Sequence, residues 1–100
     1  DKLETTKNYV CFLLKYNLEK PDMYFNVLKE FRDIYYELDM ESEFHDLAML
    51  YWAKDDLIYE DNQYYWDGAN RGNIDTIVKE QFEIYIEKFD NRNYKQNTDE

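Results

Sequence analysis

A chain of 100 residues that is 44% hydrophobic and 19% aromatic amounts to one domain, and it is too apolar for a disordered acidic tail. Its formal net charge of −11 disfavours two kinds of partner. Nucleic acid needs clustered Lys and Arg against its phosphates, and an anionic membrane surface asks for the same.

Two glycines and one proline are too few turn formers for a sandwich or barrel, so an all-α fold is expected. In chain order, Leu3, Thr6, Val10, Leu13, Leu14 and Asn17 fall near one helical face, which predicts a first helix ending near Leu18. The unbroken apolar patch at 9–14 also fits a strand. Pro21 suits the first turn of a second helix, because the N–H it lacks has no partner there. Phe25, Leu28, Phe31, Ile34 (or Tyr35) and Leu38 then recur at three- and four-residue spacing, giving an amphipathic helix over about 21–38.

Ser42 is a candidate cap for a third helix over about 42–55, fraying onward to Tyr59, with Phe44, Leu47, Ala48 and Tyr51 on one face, Lys54 at its edge, and Leu50 and Trp52 widening it. Asp55 and Asp56 lie near its C-terminal end, where the helix dipole favours cations instead. Residues 60–73 form the one substantial loop and hold both glycines. Asn73 or Asp75 is the expected cap of a last helix with a core face of Ile74, Ile77, Val78, Phe82, Tyr85, Ile86 and Phe89. The expectation is a four-helix antiparallel bundle with a longer acidic and aromatic loop before the last helix. It forms a single domain over 1–90, followed by a loose tail over 91–100 that lacks periodicity.

Cys11 is the single cysteine, so an intramolecular disulfide or a thiolate cluster is excluded; its YVCFLL setting predicts a buried, inert thiol. No apolar run approaches the ~18 residues of a membrane span. No signal-peptide pattern is visible, and the chain begins at Asp1 without a methionine, so a trimmed natural start and a cytoplasmic location are expected.

Charge is distributed unevenly. Residues 1–36 hold six acids and six bases; residues 37–67 hold ten acids against Lys54 alone, a net −9; residues 68–100 hold seven acids and five bases. Uniform solubilising charge does not produce that pattern. The stretch KDDLIYEDNQYYWDG (54–68) adds aromatics to the acid. With Tyr35, Tyr36, Tyr51 and Trp52 nearby, there are more rings than a core of this size holds. Trp52 is expected in the core, and Trp66 fits either a plug at the end of the bundle or a contact surface. Tyr59, Tyr64 and Tyr65 are interface candidates, because tyrosine brings large contact area with few rotors. Asp55, Asp56, Glu60, Asp61 and Asp67 supply charge beside them. Together these eight residues are the predicted partner-binding surface, and its charge suits a basic protein.

Chemistry finds little support. His45 is the only histidine; Glu41 lies four residues before it, a weak metal signal beside a capped or solvent-facing histidine. There is no Gly-rich phosphate loop and no Ser-His-Asp set. Residues 55–67 lack the alternating ligands and central glycine of a calcium loop. Paired carboxylates such as Asp55 and Asp56 do acid–base work only in a pocket that shifts them. No enzymatic activity, cofactor or metal is expected.

The segment ANRGNIDTIVKEQFEIYIEKF (69–89) resembles the last helix of colicin-D-type immunity proteins, the bacterial self-protective colicin-like immunity family, together with its approach. Ile74, Asp75, Val78, Phe82, Ile86 and Phe89 carry the spacing. FLLKYNLEKPDMY (12–24) is similar to the first helix and turn of that family. The resemblance implies a helical bundle that blocks a toxic nuclease, presenting carboxylates to a basic cleft in partial imitation of RNA phosphates. It assigns no individual contact residue, because the matched segments face the core. A monomer that pairs with its toxin as a heterodimer is the expected form. A phage inhibitor of a CRISPR nuclease shares the same logic, and a helical interaction module without inhibitory activity belongs to a different class.

Overall fold

A computed structural model describes residues 2–37 and 44–98, with side chains at 4–37 and 44–89. The helices are α1 (Lys2–Asn17), α2 (Tyr24–Glu37), α3 (His45–Tyr59) and α4 (Ile74–Thr98), with a 3-10 turn at Pro21–Met23. No strand occurs among the described residues, so the apolar patch at 9–14 is helical and lies within α1.

The corner between α1 and α2 is made by three local devices. Asn17, buried where its spacing placed it, donates its amide to the Leu13 carbonyl one turn back (2.9 Å). Pro21 opens the 3-10 turn, and the Met23 N–H reaches the Lys20 carbonyl at 2.9 Å. The Tyr24 hydroxyl then donates to the Leu18 carbonyl, tying the start of α2 to the end of α1.

Contacts between successive helices run antiparallel. Tyr9 meets Glu30 while Leu18 meets Tyr24; Tyr35 meets His45 while Phe25 meets Tyr51; Phe44 meets Phe89 while Lys54 meets Asp75. Phe82 of α4 sits fully buried at the centre, with its ring edge-on to Tyr24 (centroids 5.1 Å) and Phe31 (6.4 Å). Edge-to-face pairs of this kind add about 0.5–1.5 kcal/mol beyond the burial of their area. Val10, Leu14, Leu28, Phe31, Phe44, Leu47, Ala48, Leu50, Ala53 and Val78 are also fully buried, and Cys11 is buried and forms no disulfide.

Several expectations shift by a residue or a turn. On α2 the buried face is Tyr24, Val27, Leu28, Phe31 and Tyr35, so Phe25 and Ile34 lie at its margin. Tyrosine can be buried there because its hydroxyl finds a partner at the edge. Lys54, at the edge of the predicted α3 face, makes an ion pair, and Leu50 widens the buried stripe as expected, joined by Ala53 and Leu57, while Trp52 is only partly buried. The Ser42 cap and Leu38 lie outside the described residues. α4 runs on to Thr98, past the last periodic residue and into the tail read as loose; residues 91–98 contain no glycine or proline to stop it.

Candidate functional site

The surface of interest begins where α3 ends. The carbonyls in the last turn of a helix carry partial negative charge, and α3 has no basic residue in its own last turn. Within α3 itself, Asp55 and Asp56 therefore have no cation beside them in the last turn. The compensation comes from Arg71, fourteen positions beyond Leu57. Its Nε donates to the Leu57 carbonyl at 2.7 Å, and its Nη1 donates to Asp61 Oδ1 at 2.7 Å. One guanidinium thus caps the helix and fixes the first residues of the loop. A second cation works one turn earlier, where Lys54 Nζ reaches Asp75 Oδ1 at 2.6 Å and ties the end of α3 to the start of α4.

The loop between these anchors is organised by Gln63. Its Oε1 accepts from the backbone N–H of Tyr65 (2.8 Å) and of Trp66 (2.7 Å), while its Nε2 donates to the carbonyls of Trp66 and Ala69. All four contacts draw the chain around one amide. Gly68 then takes a backbone φ of +83°, a conformation that favours glycine, and the chain turns back toward α4.

The approach to α4 is closed by a reciprocal pair. Asn70 Oδ1 accepts from the N–H of Gly72 (2.8 Å) and of Asn73 (3.0 Å), and Asn73 Oδ1 accepts from the N–H of Asn70 (2.7 Å). The expected cap at Asn73 or Asp75 is therefore displaced to Asn70. Asn73 precedes the helix, but its side chain points back to close the pair, and Asp75 is taken by Lys54. This is the logic of a capping box, with asparagine at both ends.

The eight predicted partner-binding residues occupy this region unequally. Tyr64 is 91% exposed and Tyr59 78%; Tyr65, Glu60, Asp61 and Asp67 are also exposed, whereas Asp55 and Asp56 are half-buried. Asp61 spends part of its charge on Arg71. Glu60 and Asp67 are accordingly the carboxylates that the loop most openly presents beside tyrosine rings.

Trp52 and Trp66 both pack partly buried against the core. Trp52 is also the hinge of an aromatic seam that spacing alone did not reveal. Its ring meets Tyr51 (centroids 5.5 Å), Tyr36 (5.9 Å) and Tyr65 (6.4 Å). Exposed Tyr36 of α2 thereby joins the loop surface through Trp52. Arg32 backs the same seam, with Nη1 at 3.1 Å from the Tyr51 hydroxyl and its guanidinium over the Tyr51 ring. The signal available in the sequence was Tyr36, which follows the last buried position of α2 at Tyr35 and joins the crowded aromatics of this region.

His45 is exposed, and its Nδ1 lies 3.0 Å from the Tyr35 hydroxyl. Glu41, the other half of the weak metal signal, lies outside the described residues, and no group of three or more metal-ligating side chains comes together among those described. The hollows at the loop are small. One of about 210 Å³ is lined by Gln63, Tyr64, Trp66, Asp67 and Gly68, and one of about 180 Å³ lies between Lys54, Ile58 and Arg71. Their lining offers contact and charge. Among the described residues, no helix is long and apolar enough to cross a membrane. Comparison with family models, curated proteins and solved structures returns no match.

Proposed function

We propose that the chain is an inhibitor of the immunity type, which binds a basic nuclease and covers its cleft with the end of α3 and the 60–73 loop. The observation that carries this reading is the loop itself. It holds Glu60 and Asp67 beside exposed Tyr59 and Tyr64 on a backbone already fixed by Gln63, Asn70 and Arg71. A surface ordered before binding avoids the entropy of ordering it on contact, which leaves more of the interaction energy as affinity. Its charge speeds encounter with a basic cleft and makes that encounter sensitive to salt. The resemblance of 69–89 and 12–24 to colicin-D-type immunity proteins supports the same class, and a phage inhibitor of a nuclease would use the same surface.

The test is co-expression with a nuclease encoded beside the gene, scored by rescue of growth. The double reversal Glu60→Lys and Asp67→Lys is expected to abolish rescue while leaving the helical circular dichroism unchanged. Asp61 is left out of the reversal because it also serves Arg71. Full rescue by the reversed protein would place the contact elsewhere.

One observation favours a plain interaction module as the second reading: exposed aromatic surface also occurs on α1, away from the acidic block. Pull-down of a stable partner without nuclease activity would favour it.

A further inference from the structure

We infer that the α1/α2 side of the bundle is a second docking surface, whose cleft receives an arginine side chain from a basic protein segment lying along α1. None of its residues belongs to the loop surface, and the inference does not depend on the inhibitor reading.

Two features meet here. The first is an unpartnered helix face. Tyr9, Phe12 and Tyr16 follow one another at three- and four-residue spacing, so they share a side of α1. Phe12 is 64% and Tyr16 62% exposed, and their rings stack with centroids 6.1 Å apart. A large apolar ring left in water on a helix whose opposite face is fully used in the core is surface available for contact. The second is an open cleft of about 370 Å³ between α1 and α2, at the small end of the range for ligand pockets. Tyr9 belongs to both. Its hydroxyl donates to Glu30 Oε1 in the cleft wall, while its ring begins the stripe.

The lining carries Glu30, Asp33 and Glu37 and, among the described residues, no cation. Asp33 is held from outside the cleft by Arg32 at 2.7 Å. Glu30, fixed at one oxygen by Tyr9, and Glu37 are the acceptors left to define the occupant. The complementary group is cationic. A guanidinium fits better than an ammonium, because it bridges two acceptors with a planar fork and lies flat against a tyrosine ring.

The stripe selects a protein segment over a free cation, since a small ion leaves Phe12 uncovered. A second copy of the chain is disfavoured, because each copy carries −11. Register follows from Lys20, whose ammonium already sits 3.6 Å from the centroid of Tyr16. The far end of the stripe therefore has its cation. The partner's arginine belongs at the Tyr9 end, followed by apolar side chains over Phe12.

The test is a titration of the isotope-labelled full chain, read by amide chemical shifts. The probe is the capped peptide acetyl-leucyl-arginyl-leucine amide, with its citrulline counterpart as the neutral isostere. The arginyl peptide is expected to give saturable shifts at Thr5, Thr6, Tyr9 and Ile34. Binding should weaken roughly tenfold with citrulline and in the Glu30→Gln, Glu37→Gln variant, as expected for loss of charged hydrogen bonds. Phe12→Ala, an exposed change that leaves the core intact, should weaken the tripeptide but not free arginine amide. Shifts centred on 55–67, or equal response to both peptides, would overturn the site. Equal affinity for arginine amide and the tripeptide would overturn the protein occupant, as would self-association of the chain through Phe12.

Discussion

Arg71 Nε donates to the carbonyl oxygen of Leu57 at 2.7 Å, and this contact reverses the meaning of the acid at the end of α3. Asp55 and Asp56 look misplaced against a helix dipole only while the helix is considered alone. With a guanidinium on its last turn, the C-terminus has the cation that its carbonyls favour, supplied across the loop. Arg71→Ala should therefore destabilise the fold by about 1 kcal/mol, read as a lower midpoint in urea. Asp61→Asn should cost less, about 0.5 kcal/mol or under, because that ion pair is solvent-exposed.

Gln63 predicts a different signature. Gln63→Ala removes acceptor and donor from four loop contacts at once. Loop order should fall while the helices persist. The expected result is a red-shifted tryptophan emission, as Trp66 becomes more hydrated, with helical circular dichroism nearly unchanged. Gly68→Ala, which places a side chain at φ +83°, should cost about 1 kcal/mol for conformational reasons alone, since nothing crowds an added Cβ there.

Phenylalanines at opposite extremes of burial test the packing. Phe82→Ala opens a cavity against Tyr24 and Phe31 and should cost roughly 3–5 kcal/mol, enough to unfold much of the population. Phe12→Ala, on the outer face of α1, should stay within about 0.5 kcal/mol of the parent. Thermal melts of the two variants make the comparison directly.

Alkaline pH should weaken the fold through two tyrosines. Burial raises the Tyr24 phenol above the usual value of about 10; the hydrogen bond to Glu30, aided by desolvation and by the Glu30 charge, raises Tyr9 in the same direction. Both groups hold their protons more tightly when folded than when unfolded. Their contribution to stability is complete below about pH 10 and is lost as pH rises through the raised folded values. Denaturant midpoints should accordingly fall above pH 10. Tyr24→Phe should flatten that fall while lowering stability near neutrality by about 1 kcal/mol, the worth of the lost bond to the Leu18 carbonyl.

The helices were readable because burial repeats along the chain. Val10, Leu14, Leu28, Phe31, Leu47, Val78 and Phe82 all occupy the core faces that their spacing predicts. The errors of phase on α2 arose where two aromatics compete for one position, Tyr24 against Phe25, and where hydroxyl partners decide which enters. The candidate surface was readable as composition but not as geometry. Which carboxylate is paired and which is presented depends on the path of a non-repeating loop, and no periodicity encodes the fourteen-residue reach from Leu57 to Arg71. Tyr36 was legible as one of the surplus rings, but its contact with Trp52 was not, since that depends on how α2 faces α3.

The Lys54–Asp75 bridge has an evolutionary consequence. It brings the two shoulders of segment 60–73 together independently of what the segment contains, and Arg71 repeats the closure from inside. A stretch whose ends are riveted in this way behaves as a cassette. Descendants of the chain can rewrite residues such as Glu60, Tyr64 and Asp67, while α3 and α4 keep their seat and the scaffold beneath is inherited intact.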